Sequence, residues 1–320
     1  MIKAEDIRKV VVIGAGIMGG GIAQNFAQAG LSVVISARHQ ETLDNALAQV
    51  GANLRLFAEF GLLQEEPSLI QSRIGLCLAQ ELEKAIKDCD FVVESIPEVL
   101  QAKRELFARL DSCHPDAILS SNTSSLTMSA IADGMRTPGR VIGVHYFTPA
   151  HIVPLVEIHR GRNTTDEVVQ ATRELMVKVG KKPVLVRKEV PGLIVNRIQT
   201  AMVREASYLI EQGVVTPEDL DMAAKASYGF RLASLGPMAQ LDINGLDTIM
   251  RGNEQIYKVL CNSTESSPTI VEKVQRGELG LKSGKGYYDY ENKSREQIIE
   301  ARDRNLLKQL ILYRQMEGLK

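Results

Sequence analysis

The chain has 320 residues, enough for about two domains at the usual size. Its composition, 44% hydrophobic and 24% charged, is that of a soluble globular protein that needs neither disulfides nor metals to bury a core. Lys plus Arg (38) against Asp plus Glu (39) gives a net charge of -1, which supplies no global field for nucleic acid or an anionic membrane.

No run approaches the roughly 18 apolar residues of a membrane span. The opening MIKAEDIRKV is polar, leads into a strand and does not read as a signal peptide. Cys77, Cys89, Cys113 and Cys261 are scattered singly, with no CxxC pair, which predicts a reducing, cytoplasmic setting.

The first 190 residues alternate short β-branched runs with longer stretches of helical period. The predicted strands are 9–14, 31–36, 90–94, 117–120, 140–144, 155–158 and 183–186. A helix over 17–29, with Ile17, Gly21, Ala23 and Ala27, suits close packing on a sheet. This alternation predicts an α/β fold with a doubly wound, parallel sheet covered on both faces. Between residues 41 and 74 it pauses for a helical stretch broken at Gly61 and Pro67, read as a helical hairpin standing off the sheet. After the turn Val190-Pro191-Gly192 the pattern becomes helical almost throughout. The expected division is therefore an α/β domain over 1–190 and an all-α domain over 191–320. The last helix, 295–316, should carry Ser294 as N-cap and Gln297 as its capping-box partner.

The segment VVVIGAGIMGGG places Gly14, Gly16 and Gly19 in the GxGxxG register, after a strand and opening a helix. Gly14 permits the tight turn, Gly16 admits a pyrophosphate to the backbone, and Gly19 allows close helix–strand packing. Ile17 and Met18 complete the loop, and the helix amino terminus offers free N–H groups and its dipole to the phosphates. An NAD site usually ends its second strand in Asp or Glu, which binds the ribose 2′-hydroxyl. Here the strand ends Ser36-Ala37-Arg38-His39. Ala37 removes the repulsion of a 2′-phosphate, while Arg38 supplies a cation and Ser36 a donor. The cofactor is thus NAD or NADP, with NADP tolerated or preferred; the alternative is that Arg38 stacks on adenine while NAD binds.

Only five histidines are present. His145 ends the strand VIGVH, at the edge where doubly wound sheets bind ligands. Glu157, in the strand LVEI, follows after the turn YFTPAHIVP, and a returning strand would set the two side by side. A carboxylate on imidazole fixes the tautomer and raises the basicity, as a general base for alcohol oxidation requires. The run from Ser120 to Ser125 follows another strand end, and Asn196 opens the second domain; both offer hydrogen-bonding groups. A capped strand-end histidine, a solvated glutamate and an ordinary polar turn remain the plainer alternatives. A metal site from His145, His151, Glu157 and His159 lacks zinc-like helical spacing, so none is expected. His39, His114 and His159 read as surface or loop histidines.

These segments, with FVVESIPE, SSNTSSL, RVIGVHYFTP, PLVEI, VPGLIVNRI, LGP and GLKSGKGYYDY, resemble the 3-hydroxyacyl-CoA dehydrogenase superfamily in order and over almost the whole chain. The resemblance implies a Rossmann-type domain joined to a helical domain that forms most of a homodimer interface. It implies His145 and Glu157 as the catalytic pair and Ser124 and Asn196 as hydrogen-bond donors to the reacting oxygen. It also implies Glu94 and Asn122 near the nicotinamide half of the cofactor.

Three departures point away from an acyl-CoA substrate. In the fatty-acid enzymes the hairpin reaches toward the CoA tail and usually carries lysines, whereas residues 10–83 here contain none. Thr148 stands where the CoA enzymes have Asn, and the loop continues PAHIVP. A longer segment from Tyr228 to Pro237 replaces a short PMGP turn and brings Arg231, suited to clamp a carboxylate through two parallel hydrogen bonds. The chain looks closest to the free-hydroxy-acid branch, similar to L-gulonate 3-dehydrogenase and a pyridine-carboxylate dehydrogenase of vitamin B6 degradation. The expected activity is reversible hydride transfer between nicotinamide and the hydroxyl of a small carboxylate substrate. An L-3-hydroxyacyl-CoA dehydrogenase and a non-catalytic, crystallin-like cofactor-binding protein are the competing readings.

Overall fold

The computed structural model describes residues 3–114, 116–292 and 294–318. It divides into two compact units, residues 1–194 with 306–310, and residues 195–305 with 311–320.

The first unit is built on one eight-stranded sheet. Its strands are β1 (Lys9–Ile13), β2 (Ser32–Ala37), β3 (Ile74–Leu78), β4 (Phe91–Glu94), β5 (Ile118–Ser121), β6 (Val141–Tyr146), β7 (Leu155–Arg160) and β8 (Lys182–Val186), in the order β3-β2-β1-β4-β5-β6-β7-β8. Neighbouring strands are parallel except β6 and β7, which run antiparallel. Near-continuous apolar strands such as KVVVI form because both faces are covered. Val10 and Val12 enter one core layer, while Val11 and Ile13 enter the other.

Helices α1 (Gly19–Gln28), α2 (Gln40–Glu59), α3 (Pro67–Gln71), α4 (Leu82–Ile86), α5 (Leu100–Cys113), α6 (Met128–Ile131) and α7 (Asp166–Lys178) complete this unit. The strand order reverses where β1 lies between β2 and β4, and such a switch point opens a ligand crevice at the carboxyl ends of the strands.

The expected hairpin differs from the structure in two ways. Its last residue, Ile74, opens strand β3, which pairs with β2 from Ile74↔Val33 to Leu78↔Ala37. Nor does α2 stand off the sheet, since Leu43, Ala46, Val50 and Leu54 join the main core. The period-3.6 spacing of those four residues is what lays the helix down on it. Farther along, Phe57 packs in a separate cluster with Ile152, Leu307 and Leu310, which Leu56, Phe60, Leu62 and Leu63 flank.

The second unit is helical: α8 (Val195–Glu211), α9 (Pro217–Ala226), α10 (Tyr228–Leu232), α11 (Pro237–Asn244), α12 (Leu246–Ile256), α13 (Pro268–Gln275) and most of α14 (Arg295–Met316). The Ser294–Gln297 capping box of α14 is present in both directions. The Tyr288 hydroxyl donates to Asp221 Oδ2 at 2.8 Å and ties the loop before α14 back to α9. No hydrophobic side chain among the described residues of this unit is buried. Among the described residues no helix is long and apolar enough to cross a membrane.

Candidate active site

The loop after β1 is shaped for a dinucleotide. A Cβ on Gly14, where φ is 109°, would lie 2.4 Å from the Ser95 carbonyl oxygen. One on Gly19 would lie 1.8 Å from the Gly14 carbonyl oxygen, so both positions demand glycine. At Gly16, by contrast, a Cβ would meet nothing within 4 Å. That open backbone, beside an α1 amino terminus that Met18 leaves without a side-chain cap, fits a pyrophosphate. Ile17 is 79% exposed at the loop tip. Ser36 is buried in β2, in register with Cys77 of β3, so it does not present its hydroxyl to a 2′-phosphate. Arg38, one residue past β2, is exposed.

The antiparallel pairing of β6 and β7 sets His145 directly across from Glu157. Imidazole Nδ1 and carboxylate Oε2 are 2.9 Å apart, and both residues are buried. Oε1 accepts the Ile194 backbone N–H at 2.9 Å. With Nδ1 engaged, Nε2 is the nitrogen left for a substrate proton. The Phe147 ring meets the imidazole edge-on, with centroids 4.5 Å apart.

His159, expected at the surface, is instead 1% exposed in β7, on the same sheet face as Glu157. Its ring lies against Gly143, where a Cβ would fall 1.9 Å from Nε2. Burial, reinforced by the neighbouring His145, pushes the His159 imidazole down to about 4.

The polar run after β5 is pinned by a carboxylate from the β4–α5 connection. Glu98 Oε1 accepts the Ser124 and Ser125 backbone N–H groups at 3.1 Å each and the Ser125 hydroxyl at 2.9 Å, and the Thr123 hydroxyl also donates to it. Burial alone would raise the Glu98 carboxyl, but these hydrogen bonds and the Lys103 ammonium outweigh it and hold it at about 2. Lys103 is 1% exposed and bridges Glu94 Oε1 at 2.7 Å and Glu98 Oε2 at 3.2 Å. Glu94, expected at the nicotinamide, is itself 0% exposed, with Ser121 donating to its other oxygen at 2.5 Å. A fully buried carboxylate acts on a ligand only through these neighbours. Asn122 is half-buried; its Oδ1 accepts the Tyr146 N–H at 2.8 Å and holds the ends of β5 and β6 together.

Glu98 and Lys103 are the site residues that the sequence reading passed over. The second glutamate of FVVESIPE and the lysine five residues on were the available signal. Asn196 lies half-buried in the first turn of α8, and Arg231 is exposed in the last turn of the short helix α10; both belong to the second unit. No cluster of three or more His, Cys, Asp or Glu suited to a metal ion occurs among the described residues.

Comparison with known proteins identifies the family. Residues 9–190 match the 3-hydroxyacyl-CoA dehydrogenase NAD-binding domain, and residues 192–290 match the C-terminal domain of the same family. The 5-formyl-3-hydroxy-2-methylpyridine 4-carboxylate 5-dehydrogenase of Mesorhizobium japonicum is 31% identical over 303 residues, covering 94% of this chain and 96% of the relative. A probable 3-hydroxybutyryl-CoA dehydrogenase of Deinococcus radiodurans is 38% identical over 284 residues, covering 88% of this chain and 100% of the relative. The crystal structure of an NAD+-dependent dismutase, 5-formyl-3-hydroxy-2-methylpyridine 4-carboxylic acid 5-dehydrogenase, superposes with a TM-score of 0.87 at 30% identity, over 98% of this chain and 100% of the other. The glycine cradle, the sheet order and these matches together place the chain in the 3-hydroxyacyl-CoA dehydrogenase family of NAD-dependent oxidoreductases.

Proposed function

We propose that the protein reversibly oxidises a small free 3-hydroxy acid, or a related carboxylate-bearing alcohol. The observation that carries this reading is the state of α2 and α3. Residues 10–83 hold no lysine, and the apolar end of α2 is packed against Leu307 and Leu310. Arg55 is the one basic side chain in α2 and α3, and a segment with a single cation and an apolar end already covered offers little to the phosphates and pantetheine of a coenzyme A tail. The match to the pyridine-carboxylate dehydrogenase, which extends over 98% of the chain, supports the same reading.

In this scheme His145 Nε2 takes the hydroxyl proton, and Glu157 holds the Nδ1–H tautomer and stabilises the imidazolium that results. Ser124 and Asn196 donate hydrogen bonds to the reacting oxygen. Glu98, Glu94 and Asn122 keep the serine-bearing segment in place. A nicotinamide dinucleotide held by Gly14, Gly16, Ile17, Met18 and Gly19 supplies the hydride acceptor. Arg231 anchors the substrate carboxylate through its planar fork. Replacing Arg231 by Ala should raise KM by tenfold or more and leave dinucleotide affinity intact, whereas an unchanged KM removes the anchor.

The identity of 38% to a probable 3-hydroxybutyryl-CoA dehydrogenase favours a second reading, in which the substrate is a short acyl-CoA thioester. For the cofactor, Ala37 and the exposed Arg38 support binding of NADP beside NAD. Four free cysteines support a reducing, cytoplasmic setting; burial raises the Cys77 thiol and pushes Cys89 up to about 12.

A homodimer through the second unit completes the proposal. Helices with no buried hydrophobic side chain do not hold together alone, and Ile198, Val214, Met238, Ile243 and Leu246 are each more than 60% exposed. Isologous pairing of two such surfaces would give each its core. Sedimentation should return twice the 35.2 kDa chain mass, and a monodisperse monomer at micromolar concentration contradicts the pairing.

A further inference from the structure

The residue that opens α8 is preceded by an unusual backbone. Val190-Pro191-Gly192-Leu193 forms a turn in which the Leu193 N–H donates to the Val190 carbonyl at 3.1 Å. Proline second and glycine third, with Gly192 at φ 78°, is the signature of a type II turn. The chain then does something that the turn alone does not require. Leu193 has φ 51°, and among the described residues no other non-glycine residue has a positive φ. Left-handed backbone is disfavoured for a leucine, because its Cβ crowds the following carbonyl. The leucine is retained with its side chain 4% exposed, so packing holds a conformation that its own backbone resists.

The consequence lies at the next peptide. Two successive positive-φ residues reverse the chain so that the Ile194 N–H donates to Glu157 Oε1 at 2.9 Å, just before α8 begins at Val195. Glu157 is thereby held from both sides, by a main-chain donor on Oε1 and by His145 Nδ1 on Oε2. A carboxylate tied by one oxygen alone can rotate about its terminal torsion, which has broad wells. Tied by both, it presents a fixed acceptor to the imidazole.

We propose that Leu193 is a positioning residue for the general base: its left-handed backbone aims the Ile194 N–H at Glu157 and so fixes the tautomer and orientation of His145. The inference rests on the His145–Glu157 reading, but not on the identity of the substrate.

The test separates backbone from side chain. Leu193→Ile keeps the apolar bulk but is β-branched, and β-branched residues reject positive φ. Leu193→Asn loses the packing but accepts the left-handed region. The primary readout is the imidazole 15N spectrum at neutral pH, with the His145 signals assigned by their loss in His145→Gln. It needs no substrate, and dinucleotide binding by fluorescence confirms that each variant is folded.

Positioning by the backbone predicts that Leu193→Ile loses the single Nδ1–H tautomer of His145 while still binding NADH within about twofold. Leu193→Asn should keep the tautomer. The reverse pattern, with Leu193→Ile like the parent and Leu193→Asn disturbed, overturns the proposal and makes position 193 a packing site. Parental spectra in both variants overturn it equally. A mixed tautomer in the unsubstituted protein would instead contradict the dyad on which the proposal stands. Where a free 3-keto acid is turned over, Leu193→Ile should also lower kcat by about tenfold or more, within the range that a misaligned general base loses.

Discussion

His145 and Glu157 face each other across the one antiparallel pairing of an otherwise parallel sheet, with Nδ1 and Oε2 2.9 Å apart. The antiparallel turn is what makes this possible: β6 runs up to the ligand-binding edge and β7 starts back from it, so residues twelve apart in sequence become partners. His145→Gln keeps the size of the side chain but removes the base. It should lower kcat by about 10²–10⁴-fold with dinucleotide affinity preserved. Full turnover in that variant would remove His145 from the chemistry.

The buried Lys103 bridges two carboxylates, and its removal leaves Glu94 charged and unpaired where no water reaches. Lys103→Met should therefore destabilise the first unit by about 3–5 kcal/mol in urea unfolding. Adding Glu94→Leu should restore part of that loss, because the pair is then replaced by packed apolar groups. A single variant as stable as the parent would contradict the account of this network.

His159 adds a pH dependence to stability. Burial, then the charge of His145, brings its folded-state value from 6.5 to about 4. Between those values only the unfolded chain takes up the proton, so stability is fully present above pH 6.5 and declines as pH falls toward 4. The loss amounts to about 3 kcal/mol over this window. His159→Leu cannot be protonated, so its Tm should fall less between pH 7 and pH 4.5 than that of the parent. Parallel curves would place the acid sensitivity elsewhere.

Arg38 offers a direct test of cofactor choice. If it pairs with a 2′-phosphate, Arg38→Ala should weaken NADPH by at least tenfold and NADH by less than about twofold, because a charge-assisted bidentate contact is lost for one dinucleotide only. Equal losses would make Arg38 a stacking partner for adenine.

Much of the fold was legible because its signals are local. The GxGxxG loop, the apolar strands and the Ser294–Gln297 capping box each depend on residues within a few positions of one another. Strand β3 was hidden because IGLCL is short and follows a helical stretch closely, and short apolar runs do not reveal their period. The apolar stripe of α2 is local, but the surface it covers is created by the pairing of β2 with β3, a nonlocal fact. In the site, His145 and Glu157 were legible from their strand ends. The burial of Glu94 and His159 was not, since it is set by Lys103, Ser121 and Gly143 from other elements. The contribution of Ile194 is a backbone N–H, which no side-chain pattern announces.

The most direct test of the central claim is kcat/KM for NADH and NADPH oxidation with acetoacetyl-CoA, measured beside free acetoacetate and a panel of larger 3-keto acids. A free-acid enzyme should turn over at least one free keto acid with negligible use of the thioester. Efficient reduction of acetoacetyl-CoA, with no activity on any free acid, would contradict that reading and make the lysine-free α2–α3 segment incidental to substrate choice.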